Sequence, residues 1–277
     1  MMNFIKKLFA STAVVEPKPA SSVSEVKQYY ENWTQRYIES FGDTFQSRRL
    51  NDLPKLTDYL IESAGIKSGM KILDAGCGIC GPAIMLCQKL DIKIDALTLS
   101  EEQVVIAKKK VAEAGLSDRI NVIAGDFQKM DSFLQKEAYD GVIYLESFVH
   151  SDNTQRAVDA GVAVTKQGGF IYIKDLYHGT ARNAQEKKDI ASVVQSSNKH
   201  ILMNVKRLHE VVEAFENTPV TFDFIKKLGF DADVEVANDF IRRNMIPLNE
   251  NISSDIFLLK FLDYYELRVT KLYSLEN

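Results

Sequence analysis

Much that would assign a function quickly is scarce in this 277-residue sequence. There are only three cysteines, Cys77, Cys80 and Cys87, an odd number crowded into one stretch, which excludes a disulfide framework. Cys77 and Cys80 make a C-x-x-C, but structural zinc takes about four ligands. Among His150, His178, His200 and His209 no second pair stands at ligand spacing, so no metal site is expected and the thiols read as small packing residues. No window approaches about 18 uninterrupted apolar residues, which excludes a spanning helix. Basic residues do not exceed acidic ones; 34 against 38 gives a net charge of −4, a poor match to a nucleic-acid binder. Internal repeats and low-complexity blocks are missing as well.

What is present is apolar. The chain is 45% hydrophobic and 10% aromatic, enough for a sizeable core and incompatible with a wholly disordered chain. These features lead us to expect a globular cytoplasmic protein without stable membrane insertion; self-association is left open.

Residues 1–21 carry two lysines, a short apolar run and then Pro, Ser and Glu, and read as a mobile leader rather than a secretory signal. Residues 22–66 read as an N-terminal helical cap rich in aromatics: Tyr29, Tyr30, Trp33, Tyr37, Phe41 and Phe45. Short apolar runs over 70–75, 93–99, 120–124, 141–145 and 170–174 then alternate with helical patterns over 80–90, 101–114 and 154–166. That alternation predicts an α/β fold, a Rossmann-like doubly wound and mostly parallel sheet, with its core over 67–176. Residues 177–228 are too many for a plain connection and are expected to form an inserted helical lid after strand five. Residues 229–277, beginning with a strand-like DADVEVA, are expected to complete the core and close it with a helix.

The run Asp74-Ala75-Gly76-Cys77-Gly78-Ile79-Cys80-Gly81 sets G-x-G-x-x-G between a strand and a helix, where glycines let a ligand approach the backbone closely. Alone, the pattern admits a dinucleotide equally well. Its surroundings discriminate. Asp74 suits a cationic amino-acid moiety and not a pyrophosphate. The second strand ends in Thr98-Leu99-Ser100, without the carboxylate that holds an adenosine ribose in dehydrogenases. Gly125-Asp126-Phe127 offers a carboxylate for an exocyclic amine and a ring for a purine. The ligand suggested is S-adenosyl-L-methionine.

These residues, with their flanks over about 30–175, resemble class I S-adenosylmethionine-dependent methyltransferases, and more narrowly the branch of sterol, tocopherol and prenyl-diphosphate C-methyltransferases. The resemblance is carried by Tyr29-Tyr30-x-x-x-Thr34-x-x-Tyr37, Phe41-Gly42-x-Thr44-Phe45, the segment Gly69–Pro82, Thr98-Leu99-Ser100-x-x-Gln103, Asp126-Phe127-x-Lys129-Met130 and Glu146-Ser147-x-x-His150. Cys80 departs from it, standing where the branch usually has glycine. The resemblance implies that Asp74, Gly76, Cys77 and Gly78 face the methionine part of the cofactor. It likewise implies Thr98, Leu99 and Gln103 at the ribose and Asp126 with Phe127 at the adenine, with Tyr37 and Leu145 completing the cofactor set.

Glu146 and His150 follow strand four, four residues apart and so on one face if a helix starts there. By the resemblance, Glu146 would stabilise a carbocation left by methyl transfer to an alkene and then take its proton, with His150 orienting it or relaying the proton. Tyr30 would face the cation with its ring. Plainer readings stand beside these: Glu146 as a helix-start acid, the aromatics as core, and Arg48 with Arg49 as a solvated pair rather than a diphosphate site. The expected activity is methyl transfer to carbon of an apolar, isoprenoid-like small molecule. Two alternatives remain, an O- or N-methyltransferase on a phenol or amine and a non-catalytic binding protein, the latter favoured by a Cys80 side chain crowding the loop.

Overall fold

A computed structural model of the chain describes residues 21–229 and 261–273. The expected leader falls outside these except for Ser21, and DADVEVA lies outside them altogether.

Helix α1 (Val23–Phe41) starts at a reciprocal cap: Ser22 Oγ accepts from Glu25 N, and the Glu25 carboxylate accepts from Ser22 N. It ends at Gly42, whose φ of 62° leaves the helical region, so residues 43–49 run as irregular backbone where the aromatic pattern suggested more helix. Asp52 caps α2 (Leu53–Ala64), and left-handed Gly65 stops it. The alternating core follows as β1 (Lys71–Ala75), α3 (Gly81–Lys89), β2 (Lys93–Thr98), α4 (Glu101–Glu113), β3 (Ile120–Ala124), β4 (Tyr139–Leu145), α5 (Thr154–Val164) and β5 (Thr165–His178).

The sheet order is β3-β2-β1-β4-β5-β7-β6, with the first five strands parallel and β7 antiparallel to both its neighbours. This is the Rossmann-like architecture the alternation implied. Successive residues of β1 serve opposite faces. Ile72 packs with Leu56, Leu60, Ile94, Ile143 and Tyr172, and Leu73 with Leu97, Val142, Tyr144, Ile171 and Ile173. Both faces are dry, which is why these strands read as continuous apolar runs. The chain leaves β1 toward β2 and β3, then returns to β4 on the other side. The resulting crevice at the carboxyl ends of β1 and β4 is where such sheets bind ligands.

One expectation needs correction. The stretch 177–228 is not one helical insertion. β5 runs on to His178, α6 (Ala184–His200) is the inserted helix, α7 (Leu208–Ala214) packs in the core with Val211 beside Val158, and β6 (Val220–Lys227) joins the sheet. The alternation in VTFDFIKK is that of an edge strand, half-buried on one side, and the polar helices before it masked the change of period. The described part of the C-terminal segment is a strand, β7 (Leu262–Lys271), which completes the sheet between β5 and β6; the closing helix expected within 229–277 falls on a stretch of which 230–260 and 274–277 lie outside the described residues. On one face of β7, every second residue reaches an N-terminal element. The Tyr264 and Ser47 hydroxyls lie 2.9 Å apart, Glu266 accepts from Tyr59 and, at 2.5 Å, from Ser63, and Arg268 Nε donates to Ala64 O at 2.9 Å.

A third apolar cluster joins Tyr29, Tyr37 and Phe41 of α1 to Ile190, Val193 and Val194 of α6 and to Val149 and Leu176. It forms a cap over the carboxyl edge of the sheet.

Candidate active site

A cavity of about 880 Å³, its open mouth included, lies at that edge. The sheet side supplies the glycine loop, Thr98–Ser100, Gln103, Gly125–Gln128, Leu145–Ser147 and His150; the cap supplies Val23, Val26, Tyr30, Phe45 and Gln46. Every residue expected from sequence to bind the cofactor or to act in catalysis lines it except Tyr37. Tyr37 sits one layer behind, its ring 5.6 Å from that of Tyr30 and its hydroxyl 3.1 Å from that of Tyr29. Its aromatic spacing served packing in the cap.

At the end built by β1–β3, polar groups are held by near neighbours in sequence. Gly76 and Cys77 donate to Leu97 O at 2.8 and 2.9 Å, folding the loop back on β2. Gly76 has φ of 103°, and a Cβ there would run into the Ser147 side chain. Gly81 lies directly under the Asp43 carbonyl, and Gly78 under the Phe45 ring. Cys80, with φ of 68°, takes the left-handed position where α3 begins, which explains why glycine suits that place. Its thiol is fully buried, 3.6 Å from Cys77 Sγ, and does not line the cavity, so it does not crowd a ligand there.

Thr98 Oγ1 donates to Gln103 Oε1 at 2.6 Å, and Ser100 Oγ accepts from Gln103 N at 3.1 Å. Asp126 Oδ1 accepts from Gln128 N at 2.9 Å, while its Oδ2 has no partner. Asp74 is buried, Oδ2 again has no partner, and burial alone pushes its carboxyl up to about 7. Two buried carboxylate oxygens without donors in one cavity are costly unless a ligand supplies the donors.

The other end, built by β4, β5 and the cap, is held by partners far apart in sequence. Glu146 follows β4 with φ of 58°, a left-handed position rare for a residue with a side chain. Only the single turn Phe148–His150 follows, so the shared helix face expected for Glu146 and His150 does not form. The Glu146 carboxylate, 5% exposed, turns under the irregular segment. Oε2 accepts from Ser47 N and Ser47 Oγ at 2.7 and 2.6 Å; Oε1 accepts from Arg48 N at 3.1 Å and Lys174 Nζ at 2.6 Å. Lys174, equally buried, also donates to Gln46 Oε1 and Arg48 O.

His150 takes different partners. Its Nδ1 lies 3.3 Å from Leu202 O and its Nε2 2.8 Å from Tyr30 Oη. A carbonyl only accepts, so the proton sits on Nδ1 and Tyr30 donates to Nε2. Burial drives the imidazole down to about 4, with Lys206 adding to the effect, and drives the Tyr30 phenol far above its usual range. Both are neutral near pH 7. Arg49 donates to Phe41 O and Thr44 O, and Arg48 lies 4.8 Å over the Tyr264 ring; neither lines the cavity.

Sequence reasoning missed Gln46, Ser47 and Lys174. A signal existed for Lys174: it stands with Asp175 inside an apolar strand, and buried ionisable groups in a strand demand partners. Among the described residues no cluster of metal-ligating side chains occurs, and no helix is long and apolar enough to cross a membrane.

The sheet order, the antiparallel last pair and a glycine loop opening on such a cavity define a Rossmann-like methyltransferase fold. Solved structures share it. The [4+2]-cyclase SpnF superposes with a TM-score of 0.74 at 17% identity, covering 92% of this chain and 99% of that one. The geranyl diphosphate C-methyltransferase of Streptomyces coelicolor, solved with Mg2+, geranyl diphosphate and S-adenosyl-L-homocysteine, gives 0.70 at 15% identity over 92% and 100%. The sequence profile of the mycolic acid cyclopropane synthetase family matches residues 43–220, more than half of the chain, and the chain belongs to that family.

Among curated proteins, a sterol 24-C-methyltransferase of Gibberella zeae is 30% identical over 166 residues, 57% of this chain and 43% of that protein. That of Clavispora lusitaniae is 25% identical over 221 residues, 76% and 55%. The chain thus spans about half the length of the curated relatives it matches.

Proposed function

We propose that the protein is an S-adenosyl-L-methionine-dependent methyltransferase acting at carbon of an apolar, isoprenoid-like small molecule. The observation that carries this reading is the pair of buried carboxylate oxygens, on Asp74 and Asp126, left without donors in one cavity. They fit a ligand with an ammonium at one end and an exocyclic amine at the other, and between them Thr98 and Gln103 offer polar atoms for a ribose. The cofactor supplies an electrophilic methyl group. Family membership and the sterol-methylating relatives support carbon as the atom methylated and an isoprenoid or sterol as the class of acceptor.

The chain's residues divide the remaining work. Apolar and aromatic walls exclude water and align the acceptor. Glu146, with four donors on its two oxygens and Lys174 offsetting its charge, has little capacity left as a proton acceptor. In this reading it fixes the cap segment and contributes a stationary dipole with Lys174. The neutral Tyr30–His150 pair takes over as proton acceptor: Tyr30 Oη keeps a lone pair, and passing its proton to Nε2 creates the imidazolium. A carbocation is acidic enough to protonate so weak a base, whereas an amine or alcohol acceptor is not.

Incubation with methyl-labelled cofactor and a panel of sterols, prenyl diphosphates, phenols and amines tests this. The expected product carries the label on carbon, formed at a rate independent of pH above about 5, because the base titrates near 4. Label found only on oxygen or nitrogen, with a rate rising toward alkaline pH, would replace the reading with heteroatom methylation.

A further inference from the structure

The cavity is rich in carboxylates, from Asp74, Asp126 and Glu146, and among its described lining residues there is no lysine or arginine. A zwitterionic amino-acid end brings a carboxylate of its own, and a donor must meet it. Gln46 is the candidate. It lines the cavity at 1% exposure, between Phe45, whose ring lies on Gly78, and Ser47, which is clamped to Glu146.

Its Oε1 accepts from Lys174 Nζ at 2.9 Å. An ammonium can only donate, so the oxygen of the carboxamide is the atom turned to Lys174, and the NH2 group faces the other way. That Nε2 is buried and has no partner. The lysine charge polarises the amide, strengthening its N–H toward an anionic acceptor.

We infer that Gln46 recognises the α-carboxylate of the cofactor's amino-acid end, donating from Nε2, with Lys174 as the positioning residue that sets the amide's orientation. The inference rests on the cofactor reading above. Position favours the carboxylate over any other oxygen. The segment bearing Gln46 crosses the glycine loop, with the Asp43 carbonyl against Gly81 and the Phe45 ring against Gly78. That places Gln46 with Asp74, away from Asp126 beyond β3.

Calorimetric titration with two ligands separates the possibilities. S-adenosyl-L-homocysteine carries the amino-acid group; 5′-methylthioadenosine has the same adenosine and thioether without it. Gln46→Leu should weaken the first by about ten- to a hundredfold, the range for a hydrogen bond to a charged group, and leave the second at its wild-type affinity. Gln46→Glu keeps an oxygen for Lys174 but sets a second oxygen against the ligand, and should lose at least as much. Lys174→Met, if it folds, should show the same split between ligands. Equal weakening of both ligands, no weakening of either, or a loss confined to the KM of the acceptor overturns the assignment. Wild-type protein that binds neither ligand overturns the cofactor reading itself, an outcome distinct from failure at Gln46, where wild type still binds both.

Discussion

The two ends of the cavity obey different rules of construction. At the β1–β3 end, Thr98 meets Gln103, Ser100 meets Gln103 and Asp126 meets Gln128, all within five residues. At the β4–β5 end, Tyr30 meets His150 across 120 positions, Ser47 meets Glu146 across 99, and Gln46 meets Lys174 across 128. The first end is local in these bonds: turns and strand tips orient Thr98, Gln103 and Asp126 by themselves, and the cap adds the segment bearing Asp43 and Phe45 that lies on the glycine loop. The second exists only when cap and sheet are assembled. Binding of a cofactor and integrity of the fold should therefore be separable at one end and fused at the other.

The sharpest way to break that contrast is Lys174→Met. Removing the lysine strands the buried Glu146 carboxylate, and the expected cost is about 3–5 kcal/mol of stability, read from urea unfolding. Adding Glu146→Gln to it should recover part of the loss, because no uncompensated charge is then left inside. A loss no greater than that of a surface substitution would show that the far end is not fused to the fold.

Asp74→Asn comes next and should act on the ligand instead. Affinity for S-adenosyl-L-homocysteine should fall by about ten- to a hundredfold with the fold retained. The carboxyl stands near 7 in the free protein and must ionise to meet an ammonium, so binding near pH 6 releases a proton. Calorimetry in two buffers of different ionisation enthalpy detects that release, and Asp74→Asn should abolish it. The same residue predicts a direction for stability. The folded form holds a proton that the unfolded chain, with a carboxyl near 3.8, has given up. Stability of the free protein therefore declines as pH rises from about 4 to about 7, and the Asn variant should decline less.

Thr98→Val is the smallest step. It removes the hydroxyl that holds Gln103 and should weaken adenosine-containing ligands about two- to tenfold, with stability within about 0.5 kcal/mol of wild type. A stability loss comparable to that of Lys174→Met would erase the distinction between the ends.

The same division explains what could be read in advance. The glycine loop, Asp74, Thr98 and Asp126 were legible because local backbone demands and strand ends place them, and the core strands because each is apolar on both faces. Glu146 and His150 line the cavity, as their place after strand four suggests, but their partners are not legible in the sequence. A carboxylate's donors are chosen by the fold when they lie 99 or 28 positions away, and sequence spacing carries no trace of that choice. Tyr37 lies behind the cavity wall rather than on it because one aromatic helix face serves both cavity and packing. β6 and β7 were missed because alternation in an edge strand and in a polar hydrogen-bonded strand is weaker than that in the core.

The face of β7 that reaches back to the N-terminal elements also sets a clock. The partner of Ser47 is Tyr264, 217 positions later, and those of Tyr59 and Ala64 lie 207 and 204 positions on. On a ribosome adding about 5–20 residues per second, α2 and the irregular segment before it wait on the order of 10–40 s for the strand that fastens them. During that interval the glycine loop can already be folded while the clamp on Glu146 lacks its outer hydroxyl, so the nascent chain can acquire its ligand pocket before it acquires a closed reaction chamber.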